Sequence, residues 1–107
     1  MEPQRSPERT PDGHFVVVGG RRWRATDPAI PEEIAARLRR HLMSARRAVR
    51  SATSAADAHA ERTARARVNQ AKIALGERGA PWWDQTADER RRRWEQGLAR
   101  LEEEAQD

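Results

Sequence analysis

Two short segments that contain large apolar residues, 15–18 and 21–24, flank a glycine pair in residues 14–25. Gly19-Gly20 suits a two-residue turn, because glycine readily adopts the positive φ angles that such turns require. With these two glycines as the loop, Val16, Val18 and Trp23 share one face of a β-hairpin. An isolated hairpin is only marginally stable in water, so this face is expected to pack on helices and to bury Trp23. The alternative is an exposed Trp23 beside Arg21, Arg22 and Arg24, which would suit single-stranded nucleic acid by stacking and charge.

Two long segments then show the three-to-four-residue apolar spacing of amphipathic helices. The first begins at Pro31, which suits the first helical position, and runs to about residues 50–53. The second runs from about Ala55 to Leu75, where Gly76 is the natural stop. Residues 51–54 are predicted to form the turn that joins them into an antiparallel helical hairpin. The two stripes comprise Ile34, Leu38, Leu42, Ala45, Val49 and Ala52, and then Ala60, Ala64, Val68, Ala71 and Leu75.

A third helix is predicted to begin after Thr86 and to end near Ala105. Thr86 and Glu89 have the spacing of a capping box, in which each side chain satisfies a backbone N–H of the other residue. Its apolar stripe either folds back on the same chain or mediates association, and we expect association as a dimer. The stripe consists of Ala87, Trp94, Leu98, Leu101 and Ala105.

These patterns predict a mainly α fold, in which an N-terminal β-hairpin packs on an antiparallel helical hairpin and a C-terminal helix follows. Residues 1–12, rich in proline and charge, are expected to form a disordered tail. Residues 13–83 would form the domain with its Trp-rich connector, and residues 84–107 the C-terminal helix. The small core would include Val68, Ile73 and one or two tryptophans.

Charge is unevenly distributed, although the formal net charge is only +4. Residues 21–54 contain nine basic and three acidic side chains, and 20 of the 21 basic residues are arginine. The arginines of the first helix fall opposite its apolar stripe, where they either form a solvated face or contact nucleic-acid phosphates. Only Arg37 has a carboxylate within its own helix, Glu33. The nucleic-acid hypothesis rests on Arg21, Arg22, Arg24, Arg39, Arg40, Arg46, Arg47 and Arg50.

Tryptophan and arginine also concentrate in the C-terminal third of the chain. The adjacent rings of Trp82 and Trp83 cannot point the same way, so one ring could close the core while the other contacts a partner. Asp88–Arg92 and Glu89–Arg93 can pair locally, whereas the neighbouring arginines border any helix packed on the stripe. We therefore expect a non-enzymatic adaptor that binds a protein partner or a second copy. Its binding residues would be Trp82, Trp83, Arg90, Arg91 and Trp94.

The sequence contains none of the common residue patterns that indicate catalysis. It has no cysteine, and His14, His41 and His59 lack the spacing of metal ligands. No nucleophile elbow and no phosphate-binding glycine loop is present. We expect no enzymatic activity, cofactor, metal or small-molecule substrate. Since the longest apolar run is Phe15–Val18, we also expect no membrane segment and a cytoplasmic location.

Residues 14–83 resemble a family of small, mainly actinobacterial proteins. The resemblance is carried by Arg22-Trp23-Arg24-Ala25, by the Ile30-Pro31 helix start, and by Lys72 through Trp83. Leu75-Gly76-Glu77-Arg78-Gly79 before Pro81-Trp82-Trp83 is its most specific part. Some members carry an automatic biopolymer-transporter-like label. The resemblance implies a small non-catalytic domain and supplies no catalytic residue, and residues 84–107 depart from the family pattern.

Overall fold

A computed structural model describes residues 8–105 of the chain. The fold is mainly helical, as predicted, with an N-terminal three-stranded antiparallel sheet followed by three helices. The strands are β1 (Glu8–Arg9), β2 (Phe15–Val18) and β3 (Arg21–Arg24). The helices are α1 (Glu32–Ser54), α2 (Ala58–Ala74) and α3 (Ala87–Ala105), with a short 3-10 helix (Trp82–Asp84) before the last.

The hairpin has the predicted register. Val16 lies opposite Trp23 and Phe15 opposite Arg24, with Gly19 and Gly20 at positive φ in the turn. A third strand, β1, adds to the outer edge of β2. The expectation of a disordered tail is therefore wrong for residues 8–12, and residues 1–7 lie outside the described part of the chain. Thr10 explains the difference, because its backbone N–H and its side chain both bond to Phe15 and close a turn.

Helices α1 and α2 form the predicted antiparallel pair, but the turn between them lies later than expected. Residues 51–54 are still helical, because Ala52 is buried on the apolar stripe and extends its contact with α2. The chain reverses through residues 55–57, where Ala56 has a φ of 53°. Asp57 then caps α2 by accepting a hydrogen bond from the Ala60 N–H at 3.0 Å.

Helix α3 folds back on the same chain. Its Trp94, Leu98 and Leu101 pack with residues of α1 and α2 in a single core. Gly97 permits the close approach of α3 to α2, since a Cβ there would lie 2.6 Å from the Ala74 Cβ. The stripe of α3 is thus buried within the chain, which removes the reason for expecting a dimer through it. Ile73, predicted to be in the core, is exposed instead.

A buried carboxylate connects three parts of the fold. The Asp27 side chain, fully buried, accepts hydrogen bonds from Arg90 and Arg93 of α3 and from the Ala29 backbone N–H. Its own backbone N–H donates to the Leu75 carbonyl at the end of α2, at 2.9 Å. The segment before α1, the end of α2 and the start of α3 are therefore fixed relative to one another.

Both tryptophans of the connector take part in packing. Trp82 is buried and donates from Nε1 to the Ala25 carbonyl at 2.9 Å. Trp83 is half-buried, and the His14 ring stacks parallel on it at 3.9 Å between centroids. The two indoles are almost perpendicular, as the sequence predicted for neighbouring rings. The connector thereby joins the sheet to the helices and holds β3 beside α1 and α2.

Candidate nucleic-acid interface

A groove of about 570 Å³ runs between β3 and the helices α1 and α2. We call it the basic groove, because five basic residues and a single acidic residue, Glu77, line it. The lining residues are Arg9, Val16, Trp23, Arg24, Ala25, Thr26, Arg39, Arg46, Lys72 and Glu77.

Each wall of the groove follows from local geometry. Alternation along the strands places Val16 and Trp23 on the same face of the hairpin. Arg39 and Arg46 are seven residues apart on α1, which places them on one side of that helix, two turns apart. Lys72 lies in the last turn of α2, where a cation also interacts favourably with the helix dipole.

Trp23 is the aromatic element of the groove. Its side chain is 43% exposed, so the prediction that it is buried is wrong. The hairpin is anchored instead through its opposite face, where Phe15 meets Trp83 edge to face. The Arg21 guanidinium and the Lys72 ammonium lie 4.7 and 5.6 Å from the Trp23 ring centroid. The indole therefore remains accessible while cations surround it.

The groove contains more positive charge than its own carboxylates neutralise. Within residues 8–105, neither Arg9, Arg46 nor Lys72 has a carboxylate within 4.0 Å, whereas Arg39 pairs with Glu32 at 2.5 Å. Glu77 accepts a hydrogen bond from the Thr26 hydroxyl at 2.6 Å. Partial burial lowers the pKa of Lys72, and the nearby arginines lower it further against the pull of Glu77. A bound anion would relieve this repulsion.

A second basic depression continues the groove. Arg46 borders both, and Arg50 of α1 with Arg65 and Arg78 adds further cations around Val49 and Val68. Arg65 pairs with Glu61, and Arg78 donates to Asn69. Together the two depressions form a continuous basic track along α1, which is the arrangement that backbone phosphates require.

The other arginines of the nucleic-acid hypothesis are divided between the groove wall, the opposite face of the hairpin and a separate part of α1. Arg22 stacks over the Phe15 ring at 4.4 Å, and Arg24 donates to the Gly79 carbonyl at 2.7 Å. Arg40 and Arg47 border a separate depression on α1 beside the exposed Met43. The five α1 arginines of this hypothesis point outward, as predicted: Arg46 is half-buried, and the others, Arg39, Arg40, Arg47 and Arg50, are exposed.

Two charge pairings differ from the sequence analysis. Arg37 binds Glu102 of α3 at 2.6 Å, where an in-helix pair with Glu33 was expected. Arg39 reaches Glu32, although no partner was predicted for it. Both changes arise because long arginine side chains reach beyond the i+4 neighbours that a helical projection considers.

The partner-binding residues of the adaptor hypothesis do not share one surface. Trp82 and Trp94 are buried, and the Arg90 guanidinium is bound by Asp27. The prediction that these three side chains bind a partner is therefore wrong for this structure, because they are not available for contact. Only Trp83, half-buried, and Arg91, mostly exposed, retain access to solvent.

The local pairs predicted at the start of α3 differ as well. Asp88 binds Arg91 at 2.8 Å, where Arg92 was expected. Arg93 turns inward to Asp27, at 2.5 Å, instead of pairing with Glu89. Glu89 forms the predicted capping box with Thr86, accepting the Thr86 N–H at 2.8 Å. A tertiary carboxylate thus determines the orientation of this arginine run.

Two residues of the basic groove were missed in the sequence. Arg9 lies in the segment assigned to the tail, and no local pattern marks it as part of a sheet. Lys72, the single lysine, follows Ala71 of the α2 stripe and is not among the residues on which the nucleic-acid hypothesis rests. The polar position at the last turn of an otherwise apolar segment was the available signal for it.

Comparison with protein-family models, curated proteins and solved structures found no match. The family resemblance of residues 14–83 therefore stays a prediction. Among the described residues, no helix combines the length and the apolar composition needed to cross a membrane.

Proposed function

We propose that this protein binds single-stranded nucleic acid without sequence specificity, through the basic groove and its extension along α1. The observation that carries the proposal is an exposed indole, Trp23, set among unneutralised cations. Proteins that bind single strands combine a positive track for the backbone with aromatic side chains on which unpaired bases stack.

The groove favours single strands over duplexes for a physical reason. Stacking on Trp23 requires a base with a free face, and bases within a duplex have none except at its ends. Phosphate contacts by Arg9, Arg46 and Lys72 would attract both kinds of nucleic acid, whereas the indole adds free energy only with unpaired bases. The expected difference is about 1–3 kcal/mol for one stacked base.

Fluorescence anisotropy with a labelled oligo-dT of about 20 nucleotides tests the proposal. If three to five phosphates are neutralised, log K should fall with log salt with a slope of about −2 to −3.5. Trp23→Ala should weaken oligo-dT binding by about 5- to 150-fold and leave duplex binding nearly unchanged.

A matched pair of charge variants separates a specific track from general attraction. Arg46→Gln with Arg50→Gln removes two charges from the track, whereas Arg91→Gln with Arg92→Gln removes two from α3. The first pair should reduce the salt slope by about 1.4, and the second should leave it unchanged. The proposal is wrong if oligo-dT fails to bind at about 50 mM salt, or if both pairs reduce affinity equally.

A further inference from the structure

A further cationic pocket, of about 290 Å³ and separate from the basic groove, lies where α1, α2 and α3 meet. Arg40, His41 and Ser44 of α1 line it from one side, at the one-turn spacing that places side chains on the same helical face. Arg67 of α2 and Glu102 of α3 close it from the others. It shares no lining residue with the basic groove, and nothing in the proposed function uses it.

Among residues 8–105, Glu102 is the one carboxylate that lines this pocket, and it is already ion-paired. Both oxygens of Glu102 accept from Nη2 of Arg37, at 2.7 and 2.6 Å. Arg40 and Arg67 are left without a carboxylate within 4.0 Å among residues 8–105. The positive charge acts on His41. Partial burial lowers the pKa of His41, Glu102 raises it, and the three arginines of the pocket lower it further, namely Arg67, Arg37 and Arg40.

Arg67 supplies the most specific observation. Its Nε–H is buried and has no hydrogen-bond acceptor among the described residues. This Nε–H lies beneath the surface, so an anion in the pocket would meet the terminal N–H groups of the same guanidinium. A guanidinium presents these groups as a planar fork that matches an oxyanion. The neighbouring Ser44 hydroxyl adds a donor that can rotate toward the same ligand.

We propose that this pocket binds a tetrahedral oxyanion of the phosphate class. Arg67 and Arg40 hold the anion with charge-assisted hydrogen bonds, and Ser44 donates a third. The ligand is either free phosphate or the phosphate group of a small phosphomonoester.

The test is an NMR titration of the histidine Cε1–H resonances in the full-length protein. Inorganic phosphate and adenosine monophosphate are added separately, with ionic strength held constant by chloride. We expect a saturable shift of His41, an increase in its pKa, and little change at the exposed His59. If adenosine monophosphate saturates the shift at the lower concentration, the ligand is a phosphomonoester. If inorganic phosphate does so, the ligand is the free ion. Either result supports the site.

Arg67→Gln should weaken the His41 response at least tenfold. Arg62→Gln is the matched control, because it removes the same charge from an exposed position on the same helix. If circular dichroism shows that Arg67→Gln does not fold, Arg40→Gln replaces it and should weaken the response at least fivefold.

Two results would overturn the proposal. One is a phosphate response that does not saturate or that is equal at His41 and His59. The other is unchanged affinity in the folded arginine variant. Gln70 Oε1 and Glu104 Oε2 are buried acceptors that also lack a hydrogen bond among residues 8–105. If the Arg67 guanidinium bonded to one of these two acceptors in solution, the pocket would lose its donor. The phosphate response of His41 would then not saturate.

Discussion

Replacing Asp27 should destabilise the fold more than any other single polar substitution in the described chain. In Asp27→Ala, Arg93, which is 8% exposed, and Arg90, which is 21% exposed, both lose their carboxylate. Removing one partner of a buried ion pair costs about 3–5 kcal/mol, because the remaining charge stays desolvated. The Ala29 N–H loses its acceptor as well. Since a domain of this size has about 5–15 kcal/mol in total, the variant should be marginally folded.

Asp27→Asn divides the effect into parts. The amide oxygen can still accept from Ala29 and from one arginine, but the charge is gone. Hydrogen bonds to charged groups contribute about 1.5–3 kcal/mol, so this variant should lose about 2–3 kcal/mol. In urea, with an m-value of about 1.5 kcal/mol per molar, its midpoint should fall by about 1.3–2 M.

Equilibrium urea unfolding followed by tryptophan fluorescence measures both variants. Asp88→Asn is the control, because its pair with Arg91 lies at the surface, where such pairs contribute at most about 1 kcal/mol. A loss of less than about 1 kcal/mol in Asp27→Ala would refute the reasoning, since it would show that the two arginines find other partners or water at little cost.

Three further predictions concern helix packing, chain reversal and pH. Gly97→Ala should lower the free energy of unfolding by about 1–3 kcal/mol, although alanine has the better helix propensity, because the new Cβ meets the Ala74 Cβ. Adding Ala74→Gly should restore much of this loss in a double-mutant cycle. Gly76→Ala should cost at least about 1 kcal/mol in urea unfolding, because its φ is +81° and its Cβ would lie 3.0 Å from the Asp27 Cβ; equal stability would contradict this. Burial alone would raise the pKa of Asp27, but hydrogen bonds from Arg90 and Arg93 outweigh it, so the pKa lies below 3.8. The stabilisation by ionised Asp27 is therefore complete above the unfolded-state pKa and is lost as the pH falls through the lower folded-state pKa. Because Asp27→Asn lacks this carboxylate, its melting temperature should depend less on pH between 5 and 2 than that of the wild type.

Local patterns determined most of the secondary structure. The Gly19-Gly20 turn, the Thr86–Glu89 capping box and the stop at Gly76 each depend on residues within a few positions of one another. Their geometry is therefore readable without knowledge of the fold. The apolar stripe of α1 likewise identified its buried side, and the outward direction of its arginines follows from the same periodicity.

The candidate site depends on contacts between distant parts of the chain, and the sequence alone left these contacts undetermined. Trp23 and Trp82 are both tryptophans in short segments, yet one is exposed and the other buried, because only Trp82 has the Ala25 carbonyl and the core beside it. Arg90 and Arg93 bind a carboxylate more than 60 residues away. The sequence thus determined which residues are helical and which side of each helix is apolar. Tertiary packing decided which indole and which guanidinium groups remain free for a ligand, because side-chain access depends on neighbours that are remote in sequence.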